Sequence, residues 1–172
     1  MKDSLSLAQY KKTQTAPLRQ ATLCFLIRGD EVLLAMKKRG FAVGKWNGSG
    51  GKADTEDKSI EDTAIRETRE ETGVTPKKLE HVATFNFYFP DKAEWSQQVV
   101  VYFAREWDGD PVETEEMAPK WFKKTEIPYD QMWEDDKYWL PKVLDGVKVN
   151  GDFLFDKNQK IIEQSISEVS NS

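Results

Sequence analysis

Cysteine, histidine and long apolar runs are scarce in this sequence, and each scarcity excludes a class of protein. The only cysteine, Cys24, lies in the apolar run ATLCFLI, so we expect a buried thiol and exclude internal disulfides and multi-cysteine zinc sites. The only histidine, His81, stands at the start of a β-rich segment, where we expect a surface position rather than a catalytic one. No apolar run approaches the length of a membrane span, so we expect no membrane association.

Positive charge is also in deficit. The 172 residues carry 25 Lys and Arg against 30 Asp and Glu, a formal net charge of -5. Duplex nucleic acid is bound by clustered Lys and Arg, so we expect no duplex partner. An anionic ligand would therefore arrive with metal ions. The length suits one well-buried core, and we expect a single domain and a monomer.

The first 20 residues are polar, and we interpret residues 1–20 as a disordered lead-in to a folded domain over residues 21–172. They contain no apolar core for a secretory signal. Their cations, Lys11, Lys12 and Arg19, accompany a single acid, Asp3. We therefore expect a cytoplasmic protein, with a mitochondrial or nuclear fraction left open.

Several segments have clear secondary-structure signals. The apolar runs ATLCFLIR and EVLLAMK flank Gly29-Asp30 and predict a β-hairpin. A Gly-rich loop over residues 40–51 follows. Ser59 as N-cap and Gly73 at the other end then predict a helix over residues 60–72.

The second half of the chain predicts further strands and one more helix. ATFNFYF alternates, with Phe85, Phe87 and Phe89 on one face, and QVVVYFAREW predicts the next strand. A helix is expected over residues 135–144, bent or ended early by Pro141. GDFLF and KIIEQSI predict a closing hairpin. The order indicates an α+β protein, an α/β/α sandwich around a mixed β-sheet.

Carboxylates gather on one side of the first predicted helix. At about 100° per residue, Glu67, Glu70 and Glu71 fall within one arc, with Arg66 on the adjoining side. One interpretation is a solvated helix face that Arg66 and Arg69 neutralise. The other is a metal site, because the Gly50-Gly51 pair ahead of the helix offers carbonyl oxygens as well. Oxygen ligands alone favour Mg²⁺ or Mn²⁺.

The segment from Gly51 to Val74 resembles the Nudix signature G-x5-E-x7-R-E-U-x-E-E-x-G-U, in which U is a bulky apolar residue. The resemblance implies a Nudix fold and hydrolysis of a diphosphate linkage. It also implies that Glu67, Glu70, Glu71 and the Gly50 carbonyl bind metal, while Arg66 orients a carboxylate.

Two positions depart from that signature. The spacing from Gly51 to Arg66 is one residue too long, which places the first acid near Glu56 or Asp57, and Thr68 stands where an apolar residue is usual. The alternative reading of GSGGKA as a phosphate-binding P-loop fails. Trp46 occupies the first glycine position of that motif, and Ala53 the Ser/Thr position.

From about Ala21 to Val169 the chain resembles the eukaryotic MutT-homologue branch of this family, chiefly in MKKRGFAVGKWNGSGGK and PVETEEMAPKWFKKTEIPYDQMWEDDKYWLP. The resemblance implies a base pocket made of an Asn, two adjacent Asp and aromatic walls. The matching positions are Asn47, Asp135, Asp136, Trp133, Phe87 and Phe41, and those matching residues near the pocket are Thr22, Lys37, Met117 and Trp139.

Adjacent acids beside indoles have a property suited to reading a base. Desolvation raises a carboxyl pKa, and two neighbouring acids resist double ionisation, so one of Asp135 and Asp136 keeps a proton. The pair then offers a donor and an acceptor to a purine edge. The other reading of these acids is an N-cap for the following helix, and that of Trp133 is ordinary core.

The resemblance implies hydrolysis of oxidised purine nucleoside triphosphates, such as 8-oxo-dGTP and 2-hydroxy-dATP, to the monophosphate and pyrophosphate. Two alternatives stay open. One is a Nudix hydrolase of another modified nucleotide or a dinucleotide, and the other is a nucleotide-binding module without turnover.

Overall fold

The computed structural model describes residues 5–40 and 43–169. Its helices are α1 (Leu7–Thr13), α2 (Ile60–Thr72) and α3 (Asp136–Leu144). Its strands are β1 (Arg19–Arg28), β2 (Glu31–Lys37), β3 (Trp46–Asn47), β4 (Thr75–Lys77), β5 (Glu80–Tyr88), β6 (Gln97–Ala104), β7 (Glu106–Asp108), β8 (Met117–Lys123), β9 (Val149–Phe155) and β10 (Ile161–Glu168). Within these described ranges, no helix has the length and apolar character needed to cross a membrane.

One mixed sheet holds eight of the strands. Its order is β10-β9-β5-β6-β1-β2-β3, and β8 pairs with β2 as well. β1 runs parallel to β6 and β5 parallel to β9, whereas the other pairs are antiparallel. β4 and β7 form a separate antiparallel pair. The predicted hairpins β1–β2 and β9–β10 and the mixed sheet are confirmed.

Helix α2 has the predicted bounds, because local signals fix both of its ends. The Ser59 side chain accepts a hydrogen bond from the Asp62 amide, and Gly73 closes the helix with a φ of 79°. The helix buries Ala64 against Cys24 and other apolar residues on one face of the sheet. The thiol is therefore buried, as expected.

Thr68, the departure from an apolar signature residue, also faces inward from α2. It is 1% exposed, and its hydroxyl donates to the Ala64 carbonyl at 2.7 Å. The buried hydroxyl is thus paired, which removes the main cost of placing threonine there.

Helix α3 covers the opposite face, which completes the three layers. Trp139 and Leu140 pack there with Phe25 and Phe85 in the main core. The helix continues through Pro141 to Leu144, which excludes the early end, one of the two effects expected of Pro141. The three phenylalanines predicted on one face of β5 and the loop after it all join this core.

The structure has a helix where a disordered lead-in was expected. Ser6 and Gln9 form a capping box at the start of α1. Leu7 is buried against Tyr88 and Leu154, on the face of the sheet that also carries α2. Lys11 Nζ lies 2.8 Å from Asp152 Oδ2. These partners are far away in the sequence, so α1 depends on tertiary contacts rather than on local signals.

One edge strand of the main sheet, β10, is little covered by the rest of the protein. β10 lies at one edge, and most of its residues are exposed on both faces. Only Ile161 and Ile166 of this strand pack against the core. β10 is therefore held mainly by its backbone ladder with β9.

Candidate active site

The Gly-rich loop lies along the first half of β1. β1 and β2 pair only beside their turn, so the rest of that edge of β1 is open to another partner. The loop fills it: Ser49 and Cys24 exchange backbone hydrogen bonds of 2.6 and 3.0 Å, and the Thr22 amide donates to the Gly51 carbonyl at 2.9 Å. A Cβ on Gly50 would lie 1.7 Å from the Thr22 carbonyl oxygen, so only glycine fits this approach.

This loop brings its backbone against two carboxylates of α2. The Gly50 amide donates to Glu71 Oε2 at 3.2 Å. A Cβ on Gly51 would lie 2.4 Å from Glu67 Cδ, so the Glu67 carboxylate also lies against the loop. Burial raises the pKa of Glu71 to about 8, with a smaller contribution from the nearby charge of Glu67. Burial also raises the pKa of Glu67.

Arg66 of the same helix joins three carboxylates, two from α2 and one from the loop before it. Its Nη1 donates to Glu67 Oε1 at 2.9 Å and lies 3.4 Å from Glu70 Oε2. Its Nε and Nη2 donate to the two oxygens of Asp57 at 3.0 and 2.9 Å. The Glu70 side chain is largely exposed and lies against Arg66, whereas Glu67 and Glu71 lie against the Gly-rich loop.

Asp57 is the acid that the inserted residue left uncertain. It accepts hydrogen bonds from Thr63 Oγ1 at 2.7 Å and from the Asp54 amide at 2.9 Å, in addition to Arg66. The Arg66 guanidinium holds the pKa of Asp57 well below its usual range. Glu56 is exposed. Asp57 therefore ties the inserted loop to α2.

The donor set fits a hard divalent cation. The carboxylates of Glu67 and Glu71 and the backbone of Gly50 offer oxygens alone, and a cation would offset the burial of Glu71. Across residues 5–40 and 43–169, no three acidic, histidine or cysteine side chains lie close enough together to hold a metal ion. The exposed His81 lies outside this region.

A cavity of about 410 Å³ connects the loop with the expected base pocket. The expected residues that line it are Thr22, Lys37, Asn47, Gly50, Glu71, Phe87, Met117, Trp133, Asp135 and Asp136. Trp139 does not line it, because its side chain is 0% exposed and lies in the core behind the acids. Phe41 lies outside the described residues.

Asp135 and Asp136 are buried at the base of this cavity. Asp135 accepts a hydrogen bond of 2.7 Å from Trp139 Nε1, and burial raises the pKa of Asp135 to about 6. Burial and the adjacent Asp135 raise the pKa of Asp136 well above its usual value. Asp136 Oδ2 has no hydrogen-bond partner within the described part of the chain. An unpaired buried oxygen on a cavity wall is available to a ligand.

The helix-cap interpretation of these acids is wrong. Asp135 occupies the cap position of α3, but its side chain makes no capping hydrogen bond and binds Trp139 instead. The core interpretation of Trp133 holds only in part. This half-buried ring packs against Phe89 and Phe155 and also lines the cavity.

Asn47 and Lys45 are two further polar residues of the cavity wall. The Asn47 side-chain oxygen accepts a hydrogen bond from the Gly48 amide at 2.8 Å, which fixes its amide group. Lys45 Nζ lies 5.5 Å from the centre of the Trp133 ring. The positive charge of Lys45 lowers the pKa of Asp136, against the larger effect of burial.

Sequence reasoning missed part of the cavity wall. The additional lining residues include Arg19, Lys45, Lys52, Glu94, Trp95, Gln97 and Phe155. Trp95 belongs to a short 3₁₀ turn, Ala93–Trp95, between β5 and β6. No local pattern marks a tryptophan in such a turn as a wall residue, since its position depends on the fold of the whole hairpin.

Comparison with known proteins gives one family. Residues 17–143 match the NUDIX domain. The chain is 40% identical to the oxidized purine nucleoside triphosphate hydrolase of Danio rerio over 150 residues, which is 87% of this chain and 95% of that protein. It is 40% identical to the protein of the same name from Mus musculus over 153 residues, 89% of this chain and 97% of that one.

A solved structure agrees with these relatives. The MutT protein of Bacillus halodurans superposes with a TM-score of 0.77 at 28% identity, over 87% of this chain and 98% of that chain.

Proposed function

Because the chain belongs to the NUDIX family, we propose that it hydrolyses oxidised purine nucleoside triphosphates, such as 8-oxo-dGTP and 2-hydroxy-dATP, to the monophosphate and pyrophosphate. The observation that carries this proposal is the single cavity that has Asp135 and Asp136 on one wall and Gly50 and Glu71 on another. A nucleotide bound there would place its base against the acids and its phosphates against the loop. The implied role is to remove oxidised nucleotides from the pool.

The base end of the cavity supports purine recognition. Burial raises the pKa of both acids, and the adjacent Asp135 raises that of Asp136 further, so the pair can share one proton and offer both a donor and an acceptor. Asn47 adds an amide at the same cavity. A proton moved between the two acids exchanges donor and acceptor, which lets one pocket accept both 8-oxoguanine and 2-hydroxyadenine.

The phosphate end supports hydrolysis with a divalent cation, Mg²⁺ or Mn²⁺. NUDIX hydrolases generally use such ions, and Glu67, Glu71 and the Gly50 carbonyl would hold them, together with Glu70 once its side chain turns from Arg66 towards the ion. A bound cation supplies charge neutralisation for the phosphate oxygens and lowers the pKa of the attacking water. Arg66 and the Gly50 amide orient Glu67 and Glu71. Lys37 on the cavity wall adds positive charge for the triphosphate.

The reaction consumes one water. The water oxygen attacks the α phosphorus, the bond from that phosphorus to the bridging oxygen breaks, and pyrophosphate leaves with the electron pair. A glutamate carboxylate of α2 accepts the proton of the water. The protein needs no duplex partner or second copy for these steps, and we propose a cytoplasmic monomer.

A panel of nucleotides assayed with the purified full chain and Mg²⁺ tests the function. The panel contains 8-oxo-dGTP, 2-hydroxy-dATP, dGTP, dATP and, for the alternative Nudix activities, ADP-ribose and a dinucleoside polyphosphate. We expect pyrophosphate release with kcat/KM at least about tenfold higher for the oxidised purines than for their parents, one hydrogen bond being enough for that ratio. A preference for ADP-ribose or for the dinucleoside polyphosphate, followed by release of the mononucleotide, overturns the proposal, as does binding without turnover.

A further inference from the structure

Lys45 brings a positive charge to the end of the cavity that holds the base-reading residues. It immediately precedes β3, two residues before Asn47, and both residues line the cavity. Trp46, which lies between them, does not line the cavity and packs against Phe122 instead, with 4.9 Å between ring centres. The half-buried Lys45 has its ammonium 5.5 Å from the centre of the Trp133 ring, which places this charge beside the segment that carries the two acids.

The Lys45 ammonium interacts with Asp136 but is not paired with it. Its charge lowers the pKa of Asp136, against the larger effect of burial, so the two groups are close enough to interact. Within residues 5–40 and 43–169, however, no carboxylate oxygen lies within 4.0 Å of Lys45 Nζ, and no hydrogen bond holds the ammonium. Asp136 Oδ2 has no hydrogen-bond partner there either. A charged donor and a buried oxygen of the same cavity wall are thus both available to a ligand.

The neighbouring lysine, Lys37, acts at the other end of the cavity. The Lys37 amide donates to the Lys45 carbonyl at 3.2 Å, so the two residues are neighbours across the end of β2 and the start of β3. The charge of Lys37 lowers the pKa of Glu71, whereas the charge of Lys45 lowers the pKa of Asp136. The two lysines therefore serve different ends of the cavity. Lys37 acts on the phosphate end, and Lys45 acts on the end that reads the base.

We propose that Lys45 is a specificity-determining residue, whose ammonium donates a hydrogen bond to an exocyclic oxygen of the bound purine. This inference rests on the proposed function for the class of substrate and adds a residue that selects within it. A lysine ammonium has three donors and no acceptor, so it favours an oxygen of the base over an amino group. Adenine has no exocyclic oxygen and 2-hydroxyadenine has one. Lys45 therefore favours 2-hydroxy-dATP over dATP, by a hydrogen bond that its charge strengthens.

Removing the ammonium tests this role. Lys45→Met keeps the apolar stem of the side chain without the charged donor. We expect it to lower kcat/KM for 2-hydroxy-dATP about tenfold, the cost of losing a hydrogen bond from a charged group, and to leave kcat/KM for dATP little changed. The preference for 2-hydroxy-dATP over dATP should therefore fall by the same factor. Lys45→Arg keeps a charged donor and should retain most of the preference.

Lys137→Met is the matched control. Lys137 directly follows Asp136, and its ammonium also lies over a ring, 5.2 Å from the centre of Tyr138, but Lys137 is exposed and does not line the cavity. This variant should have the wild-type preference. Lys37→Met is the second comparison, and it should lower kcat/KM for both nucleotides by one factor, because Lys37 acts at the phosphate end. Melting temperatures report any loss of fold, and Lys45→Ala serves as the test variant if Lys45→Met is unstable.

Calorimetry with the monophosphates 2-hydroxy-dAMP and dAMP separates this inference from the proposed function. Lys45→Met should bind 2-hydroxy-dAMP about tenfold more weakly than wild type, with the affinity for dAMP unchanged. If wild type binds 2-hydroxy-dAMP but does not hydrolyse the triphosphate, the proposed function fails, and this difference still supports Lys45. Equal losses for the two nucleotides, no loss in a folded Lys45→Met protein, or the same loss in Lys137→Met overturns the role of Lys45. Absence of 2-hydroxy-dAMP binding to wild type overturns both proposals.

Discussion

At the scale of single residues, Glu71 connects burial with chemistry. Glu71 is 9% exposed, and its carboxylate accepts a hydrogen bond from the Gly50 amide. Burial raises the pKa of this carboxylate to about 8. A bound divalent cation would favour the ionised form and offset this cost. Glu71 should therefore matter for both turnover and metal-linked stability.

We expect Glu71→Gln to keep the fold and to lower kcat at least about a hundredfold, because a metal ligand is lost. Mg²⁺ at about 100 times its Kd should stabilise the wild type by about 2.7 kcal/mol and this variant by less. Pyrophosphate release and thermal unfolding with and without Mg²⁺ measure the two effects. Wild-type turnover in the variant at saturating Mg²⁺ would remove Glu71 from the mechanism.

Asp136 is the residue whose change should separate base reading from phosphate chemistry. Asp136→Asn keeps the shape but fixes a donor that cannot exchange a proton with Asp135, so the ratio of 8-oxo-dGTP to 2-hydroxy-dATP hydrolysis should change. An unpaired donor or acceptor costs about 1–3 kcal/mol. Glu67→Gln is the comparison, and it should depress both substrates alike. Kinetics of both substrates across pH test whether Asp136 reads the base. If Asp136→Asn slows both substrates equally at every pH, Asp136 does not read the base.

At the scale of elements, the sequence predicts what local signals determine. Helix α2 was predicted over residues 60–72 and has those bounds, because Ser59 and Gly73 lie beside it in the sequence. Helix α1 was missed because its support comes from Tyr88, Leu154 and Asp152. Strand β8, in the segment MAPKWFK, was not predicted either, since it contains a proline and gains its order by pairing with β2.

Some residues of the candidate site could be predicted from the sequence, and others could not. The resemblance placed Asn47, Asp135 and Asp136 on one cavity, and the structure brings them together there. It placed Trp139 near the pocket, and this ring does hold the cavity residue Asp135, but from the core and without lining the cavity itself. A match of residue types does not tell which side of a helix faces the cavity. Trp95 could not be foreseen because its turn has no sequence signal for that position.

The Gly-rich loop gives a prediction about an element. Gly50→Ala would place a Cβ 1.7 Å from the Thr22 carbonyl oxygen, so the loop must lift from β1 and carry its backbone away from Glu71. We expect a free energy of unfolding lower by about 2 kcal/mol and a large loss of turnover. Gly146→Ala is the control. Gly146 has a φ of 90° and nothing within 4 Å of an added Cβ, so alanine there should cost stability without affecting kcat.

At the scale of the whole molecule, the buried acid pair makes stability depend on pH. Asp135 and Asp136 have folded-state pKa values above the ordinary 3.8, so the folded protein holds protons that the unfolded chain releases. The free energy of unfolding should therefore fall as pH rises from about 4 through about 6 and beyond. Urea unfolding at several pH values measures this fall, and Asp136→Asn should show a smaller one. An equal fall in both proteins would place its origin elsewhere.

The exposed edge strand β10 implies an order of events in the exchange of backbone amide hydrogens with deuterated water. Its residues are mostly exposed and its ladder joins only β9, whereas β6 lies between β5 and β1 at the centre of the sheet. Local opening of β10 exposes little apolar area and so requires little free energy. Amides of β10 that bond to β9 should exchange first, and those of β6 only on global unfolding. Since no residue of β10 lines the cavity, the last strand can detach and return while the cavity wall stays in place.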